Sequence, residues 1–211
     1  MVNMSIQQRN PATHNARTVQ MYEGYARNYA LLIDRLPDPD LRQWLDRLCT
    51  EVGPGARILE VGSGTGRDAD YLESLGAEVH RTDATQAFLD IQAERGRKAH
   101  RLNVVTDDLT AAGQPGYDAI VAMCVLIHVD RPALPGVLAK IQGALRPYGL
   151  FLVNVREGSA DRISATCFTS QWRPGEFEGL VSDAAFVIEG TGRFVNGDGD
   201  VWRTLLCRRE A

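Results

Sequence analysis

The run Arg57-Ile58-Leu59-Glu60-Val61, leading straight into Gly62-Ser63-Gly64-Thr65-Gly66, constrains this chain more than any other stretch. A short β-prone segment breaks into alternate glycines, and a helical apolar face resumes at Tyr71, Leu72 and Leu75. That is a strand turning sharply into a helix, with side chains absent where the backbone must bend or approach a ligand. The alternation goes on: strand over 77–82, helix over 85–94, strand over 101–105, strand over 117–125, helix over 132–145 and strand over 150–155. A polar connection over 156–173 leads to a short helix near 174–184. Two last strands, 186–192 and 200–208, flank Asn196-Gly197-Asp198-Gly199, whose residues suit a hairpin loop.

Strands separated by helices predict a doubly wound α/β fold: a seven-stranded, mainly parallel sheet covered on both faces, with a C-terminal antiparallel hairpin strand. Two helical patterns precede it, over 19–36 and 41–52, separated by Pro37-Asp38-Pro39. At 211 residues, 44% hydrophobic and 24% charged, the chain is expected to form a single domain. Residues 1–52 would be an N-terminal helical cap on a sheet core over 53–211, with 156–184 as an insertion in that core.

The polar start and the lack of a long apolar run predict a cytoplasmic protein with no membrane partner. A net charge of −4 argues against nucleic acid as a partner. Cys49, Cys124, Cys167 and Cys207 are far apart, with no histidine at metal-ligand spacing, so neither a metal site nor a disulfide framework is expected.

In sheets of this kind ligands bind beyond the carboxyl ends of the strands, where strand order reverses. Arg67 stands where a dinucleotide fingerprint wants a small residue, which counts against a pyrophosphate, and Glu60 before the turn suits an α-ammonium group better than an anion. Asp83, ending the second strand, can accept from both hydroxyls of a ribose. Asp107 or Asp108, with the amide of Leu109, is placed to read an adenine.

In these residues the chain resembles the class I S-adenosylmethionine-dependent methyltransferases, in the small-molecule branch with the Glu-Val-Gly-x-Gly-x-Gly turn. The resemblance implies a Rossmann-like methyltransferase fold with S-adenosyl-L-methionine as cofactor. Glu60, Gly62, Ser63, Gly64 and Gly66 would serve the methionine moiety, Asp83 with Ala84 the ribose, and Asp107, Asp108 and Leu109 the adenine. Cys124 and Tyr29 would complete the cofactor site. Tyr148, before the final glycine of Leu145-Arg146-Pro147-Tyr148-Gly149-Leu150, departs modestly from the family's pattern, as does Thr82.

The family's acceptor pocket opens after the fourth strand, at Cys124-Val125-Leu126-Ile127-His128-Val129-Asp130. His128 is the best-placed titratable group there, as a pocket wall or as a catalytic base. The fourth strand runs into neither Asn-Pro-Pro nor Asp-Pro-Pro, there is no Pro-Cys pair, and no acidic pair stands ready for magnesium. The expectation is metal-independent methyl transfer to an O or N atom, less readily C or S, of a small-molecule acceptor, by a monomer or homodimer. Tyr22, Tyr25 and Tyr29 with Phe168 and Trp172 would roof the pocket, and Arg156 or Arg173 would suit an acceptor carboxylate. Two rival readings are a non-catalytic S-adenosylmethionine-binding module and a nicotinamide-dependent oxidoreductase.

Overall fold

The computed structural model describes residues 11–33, 36–110, 116–163 and 167–211. The polar start 1–10, residues 34–35 of the leading helical pattern and 164–166 of the long connection lie outside the described residues.

Two helices come first, α1 (Pro11–Leu32) and α2 (Pro39–Val52). Asp38 caps α2 by accepting the Asp40 amide at 2.9 Å, and Pro39 sits in the first turn, where its missing N–H is no loss. There follow β1 (Arg57–Val61), α3 (Arg67–Ser74), β2 (Glu78–Asp83), α4 (Gln86–Glu94), β3 (Ala99–Arg101), β4 (Tyr117–Ala122), α5 (Leu134–Ala144) and β5 (Leu145–Glu157). The long connection carries three two-residue strands, β6 (Arg162–Ile163), β7 (Phe168–Thr169) and β8 (Gln171–Trp172), before α6 (Glu176–Asp183) and the hairpin β9 (Phe186–Val195) and β10 (Val201–Arg209).

The main sheet runs β3-β2-β1-β4-β5-β10-β9, and β8 adds an eighth strand by pairing with β5. Neighbours from β3 to β5 are parallel, whereas β10 lies antiparallel between β5 and β9. The chain moves outward from β1 to β3 and returns to β4, so strand order reverses between β1 and β4. The crevice beyond their carboxyl ends is the binding position such a sheet provides.

Burial on both faces explains the near-continuous apolar strands. Leu59, Ile120 and Phe151 face a cluster that includes Val137, Leu138 and Ile141 of α5. Their neighbours Ile58, Val121 and Leu152 face the other side, against Leu41, Leu45 and Leu48 of α2. Leu45 is completely buried there, and its truncation to alanine would cost about 2–5 kcal/mol. A smaller cluster of Ala26, Phe88 and Ile91 joins α1 to α4 and brings α1 across the crevice.

Several segments depart from the sequence expectations: β5 starts at Leu145 and not at 150, and β8, from the connection expected to be irregular, makes the sheet eight-stranded and not seven-stranded. The leading helix begins at Pro11, not near residue 19. The third strand occupies Ala99–Arg101, not 101–105, because Asn103 starts a turn: its Oδ1 accepts the Val105 amide at 3.0 Å and its carbonyl accepts the Asp107 amide at 2.8 Å. The fourth strand stops at Ala122, since Cys124 adopts φ +60° and Leu126–His128 winds into a single tight turn.

Candidate active site

The glycine turn after β1 is held from behind by side chains. Gln92 Nε2 donates to the Gly64 carbonyl at 2.9 Å and Arg95 Nη1 to the Thr65 carbonyl at 2.7 Å. Buried Arg81, ion-paired to Asp70 and Glu73, reaches the Gly66 carbonyl at 3.4 Å. Gly62 and Gly64, at φ +70° and +53°, line a cavity of about 430 Å³, within the range of about 300–1,000 Å³ usual for small-molecule sites. Gly62 must be glycine because a Cβ would meet Val125 Cγ2 at 2.4 Å, whereas a Cβ on Gly64 would meet nothing.

Asp83 ends β2 at the cavity, buried, with Oδ2 accepting the Gly64 amide and Oδ1 the Thr85 amide, each at 2.8 Å. Burial raises its pKa while the two amides and the Thr85 hydroxyl oppose that shift. With two amides and the Thr85 hydroxyl bound, the carboxylate keeps acceptor capacity for a further donor. Ala84, Phe88 and Tyr29 line the same end.

The remaining predicted residues divide into two groups. Cys124 lines the cavity, its positive φ secured by Asn154, whose Oδ1 accepts the Cys124 amide at 2.5 Å. Burial pushes its thiol up to about 11, so it is not a ready nucleophile. Glu60, Ser63 and Gly66 lie beneath the turn and outside the lining. Ser63 Oγ donates to the Glu60 carboxylate and accepts the Thr82 amide at 3.2 Å. Gly66 faces Arg81 and Gln92, each 2.8 Å from where a Cβ would stand, so its glycine answers to packing. Burial, and then Asp68 beside it, push Glu60 up to about 8. Asp68, absent from the sequence reading, thus leaves two buried carboxylates under the turn.

Asp107, Asp108 and Leu109 do not reach the cavity. Asp107 is exposed and accepts the Asn103 amide at 2.9 Å; Asp108 is exposed and caps Thr110; Leu109 is buried in the core. With β3 ending two residues after its start, Leu102, Asn103 and Val104 form that wall instead.

Beyond Cys124 the cavity is lined by His128, with Thr18 and Tyr22 of α1 opposite. His128 Nδ1 lies 2.8 Å from the Phe168 carbonyl oxygen, which can only accept, so Nδ1 carries the proton and Nε2 a lone pair. The Tyr22 hydroxyl stands 3.4 Å from Nε2. Burial, with a contribution from the Arg156 charge, lowers the His128 pKa, and burial raises that of Tyr22. Among the roof residues, Trp172 is core and Tyr25 is exposed. The helix is latched by Asn103 Nδ2 to Asn15 Oδ1 at 2.6 Å and His14 Nδ1 to Asp130 at 2.6 Å. Among the described residues no three His, Cys, Asp or Glu side chains gather as a metal site, and no helix is long and apolar enough to cross a membrane.

Residues 59–151, from β1 through the turn and into β5, match the model of a methyltransferase domain family. Over that stretch the chain carries a methyltransferase domain. This methyltransferase domain is 32% identical over 96 residues to a ubiquinone biosynthesis O-methyltransferase of Albidiferax ferrireducens, covering 43% of the chain and 37% of the relative. It is 33% identical over 116 residues to one of Xanthomonas campestris pv. campestris, covering 51% and 47%. The matches thus span less than half the length of these curated relatives. Among solved structures, the 1,6-didemethyltoxoflavin-N1-methyltransferase of Burkholderia thailandensis superposes with a TM-score of 0.77 at 21% identity, covering 98% of this chain and 93% of that one. The magnesium protoporphyrin IX methyltransferase of Synechocystis PCC 6803 gives 0.69 at 14% identity, covering 99% and 100%. The cyclase SpnF shares the fold at 0.67 and 16% identity, covering 91% and 94%. These likenesses establish the fold of the methyltransferase domain.

Proposed function

We propose that the protein methylates a hydroxyl oxygen of a small-molecule acceptor, with S-adenosyl-L-methionine bound along the turn and Asp83. One cavity holds a buried carboxylate with acceptor capacity left at one end and the unprotonated Nε2 of a histidine farther along, and that arrangement carries the reading. The residues fit the cofactor: the Asp83 carboxylate lines the cavity with acceptor capacity for a ribose hydroxyl, and Gly64 leaves room for close approach. Glu60, held protonated beneath the turn by burial and by Asp68 beside it, can ionise when an α-ammonium group binds above it.

When bound, the cofactor supplies an electrophilic methyl group on a sulfonium. The chain's part is to orient, exclude water and accept a proton. His128 Nε2 takes the proton of the acceptor hydroxyl, and its Nδ1–H bond to the Phe168 carbonyl holds the tautomer that leaves Nε2 free. Tyr22 shields that end from water. The O-methyltransferase relatives support oxygen as the methylated atom, as does the histidine lone pair, which an amine nucleophile needs less.

Turnover with methyl-deuterated S-adenosylmethionine over metabolite fractions, read by mass spectrometry, tests this. The expected result is S-adenosylhomocysteine together with a product carrying the labelled methyl on oxygen. Cofactor binding without any transfer would favour a non-catalytic binding role or other chemistry on this fold, of which the cyclase SpnF is an instance.

A further inference from the structure

The two ends of the cavity differ in charge. Asp83 belongs to β2, whereas Arg156 belongs to β5, three strand spacings away, or about 14 Å. The Arg156 side chain is only 21% exposed, lies over the Trp202 ring at 5.0 Å from its centroid, and lines the cavity with Trp202 and Thr169. Trp202 is its register partner on β10, so the stack is fixed by strand pairing.

One carboxylate, Asp200, meets Arg156 Nη2 at 2.5 Å and also meets Arg162 Nη1 at 2.9 Å. Two guanidinium groups therefore share a single negative charge, and the group keeps a net positive charge. Among the described residues, no hydrogen-bond partner stands at Arg156 Nε, which is buried. A guanidinium placed only to tether the hairpin would not need to face a cavity, nor to share an aspartate already paired to Arg162. The Arg156 charge also opposes protonation of His128, so its field reaches the end of the cavity where the acceptor would react.

We infer that Arg156 is a specificity-determining residue, pairing with a carboxylate on the acceptor, so that the substrate class is small aromatic hydroxy acids. With Nη2 on Asp200 and Nε buried, the contact falls to Nη1, and the guanidinium charge complements a carboxylate there. Tyr22 supplies apolar surface for a ring between the carboxylate and the reacting hydroxyl, while Trp202, covered by Arg156 and Phe194, presents only its edge to the cavity. The inference rests on the methyltransferase reading proposed above.

The test titrates hydroxybenzoates and their matching hydroxybenzamides into the protein saturated with S-adenosylhomocysteine, reading dissociation constants and melting shifts. Acids should bind at least about tenfold more tightly than their amides, a difference expected for one charge-assisted pair. Arg156→Gln should erase the preference while leaving S-adenosylhomocysteine affinity within a few-fold, and Arg156→Lys should keep part of it. Asp200→Asn, which leaves the guanidinium in place, should keep or strengthen the preference, and it guards against misfolding of the Arg156 variants. Amides binding as well as acids, no acid bound, or an acid preference that survives in Arg156→Gln would each overturn the inference. Failure of S-adenosylhomocysteine itself to bind would instead overturn the methyltransferase reading.

Discussion

The Tyr22 hydroxyl lies 3.4 Å from Nε2 of His128, and the other ring nitrogen is committed at 2.8 Å to the Phe168 carbonyl. A residue from the leading helix and one from the loop after β4 thereby meet over the cavity, each fixing what the other can do. Burial keeps the imidazole neutral, and the tyrosine can only donate to it.

From this pair follows a prediction about rate. His128→Ala should lower turnover by about 10² or more while cofactor affinity stays within a few-fold. Because the folded-state pKa of His128 is lowered, the acid limb of the wild-type rate profile should fall below the ordinary value of 6.5. The same shift makes the unfolded chain take up the proton first, so His128's contribution to stability is present above pH 6.5 and is lost as pH falls toward the folded value. A small rate loss with an unmoved pH profile would reduce His128 to a cavity wall.

Glu60 yields a prediction of opposite sign. Its pKa, pushed from 4.5 up to about 8, means that the folded protein retains a proton the unfolded chain has released, so the free protein loses stability as pH rises through that window. A cation bound over the turn favours the ionised form. S-adenosylhomocysteine affinity should therefore rise with pH up to about 8, by at most about tenfold per unit for one proton released. Glu60→Gln should flatten that dependence. Calorimetric titrations at several pH values check it, and equal slopes in the two proteins would remove Glu60 from cofactor binding.

Deletion of residues 1–36 should leave the sheet folded, since every strand lies after them, yet remove Thr18, Tyr22 and Tyr29 from the cavity wall. Turnover should fall much further than cofactor affinity. Circular dichroism with parallel activity and binding assays would decide, and full activity in the shortened chain would show the helix to be dispensable.

How far the sequence reached depended on whether a signal was local. The turn at Gly62–Gly66 and Asp83 at the end of β2 are written in contiguous residues, and both occupy the positions expected from spacing alone. Asp107 was read from the same kind of spacing, but Asn103 turns the chain early through its own side chain, and a strand prediction based on Leu102, Val104 and Val105 does not weigh that bond. The pairing of Tyr22 with His128 and the stacking of Arg156 on Trp202 each join residues far apart in the chain, while the crowding of Asp68 on Glu60 arises only once the glycine turn folds back. No local pattern announces them. Cys124 was expected at the cofactor, yet its left-handed backbone shows only once Asn154 on β5 is seen to hold it.

The central claim is that Asp83 and the glycine turn form an S-adenosylmethionine site, and calorimetric titration of S-adenosylhomocysteine into the wild type and Asp83→Ala tests it most directly. Micromolar binding is expected in the wild type, or roughly −8 kcal/mol. Losing the carboxylate should cost about 2–4 kcal/mol, or roughly 30- to 1,000-fold in affinity. Absence of binding to the wild type, or an unchanged affinity in Asp83→Ala, would contradict the account.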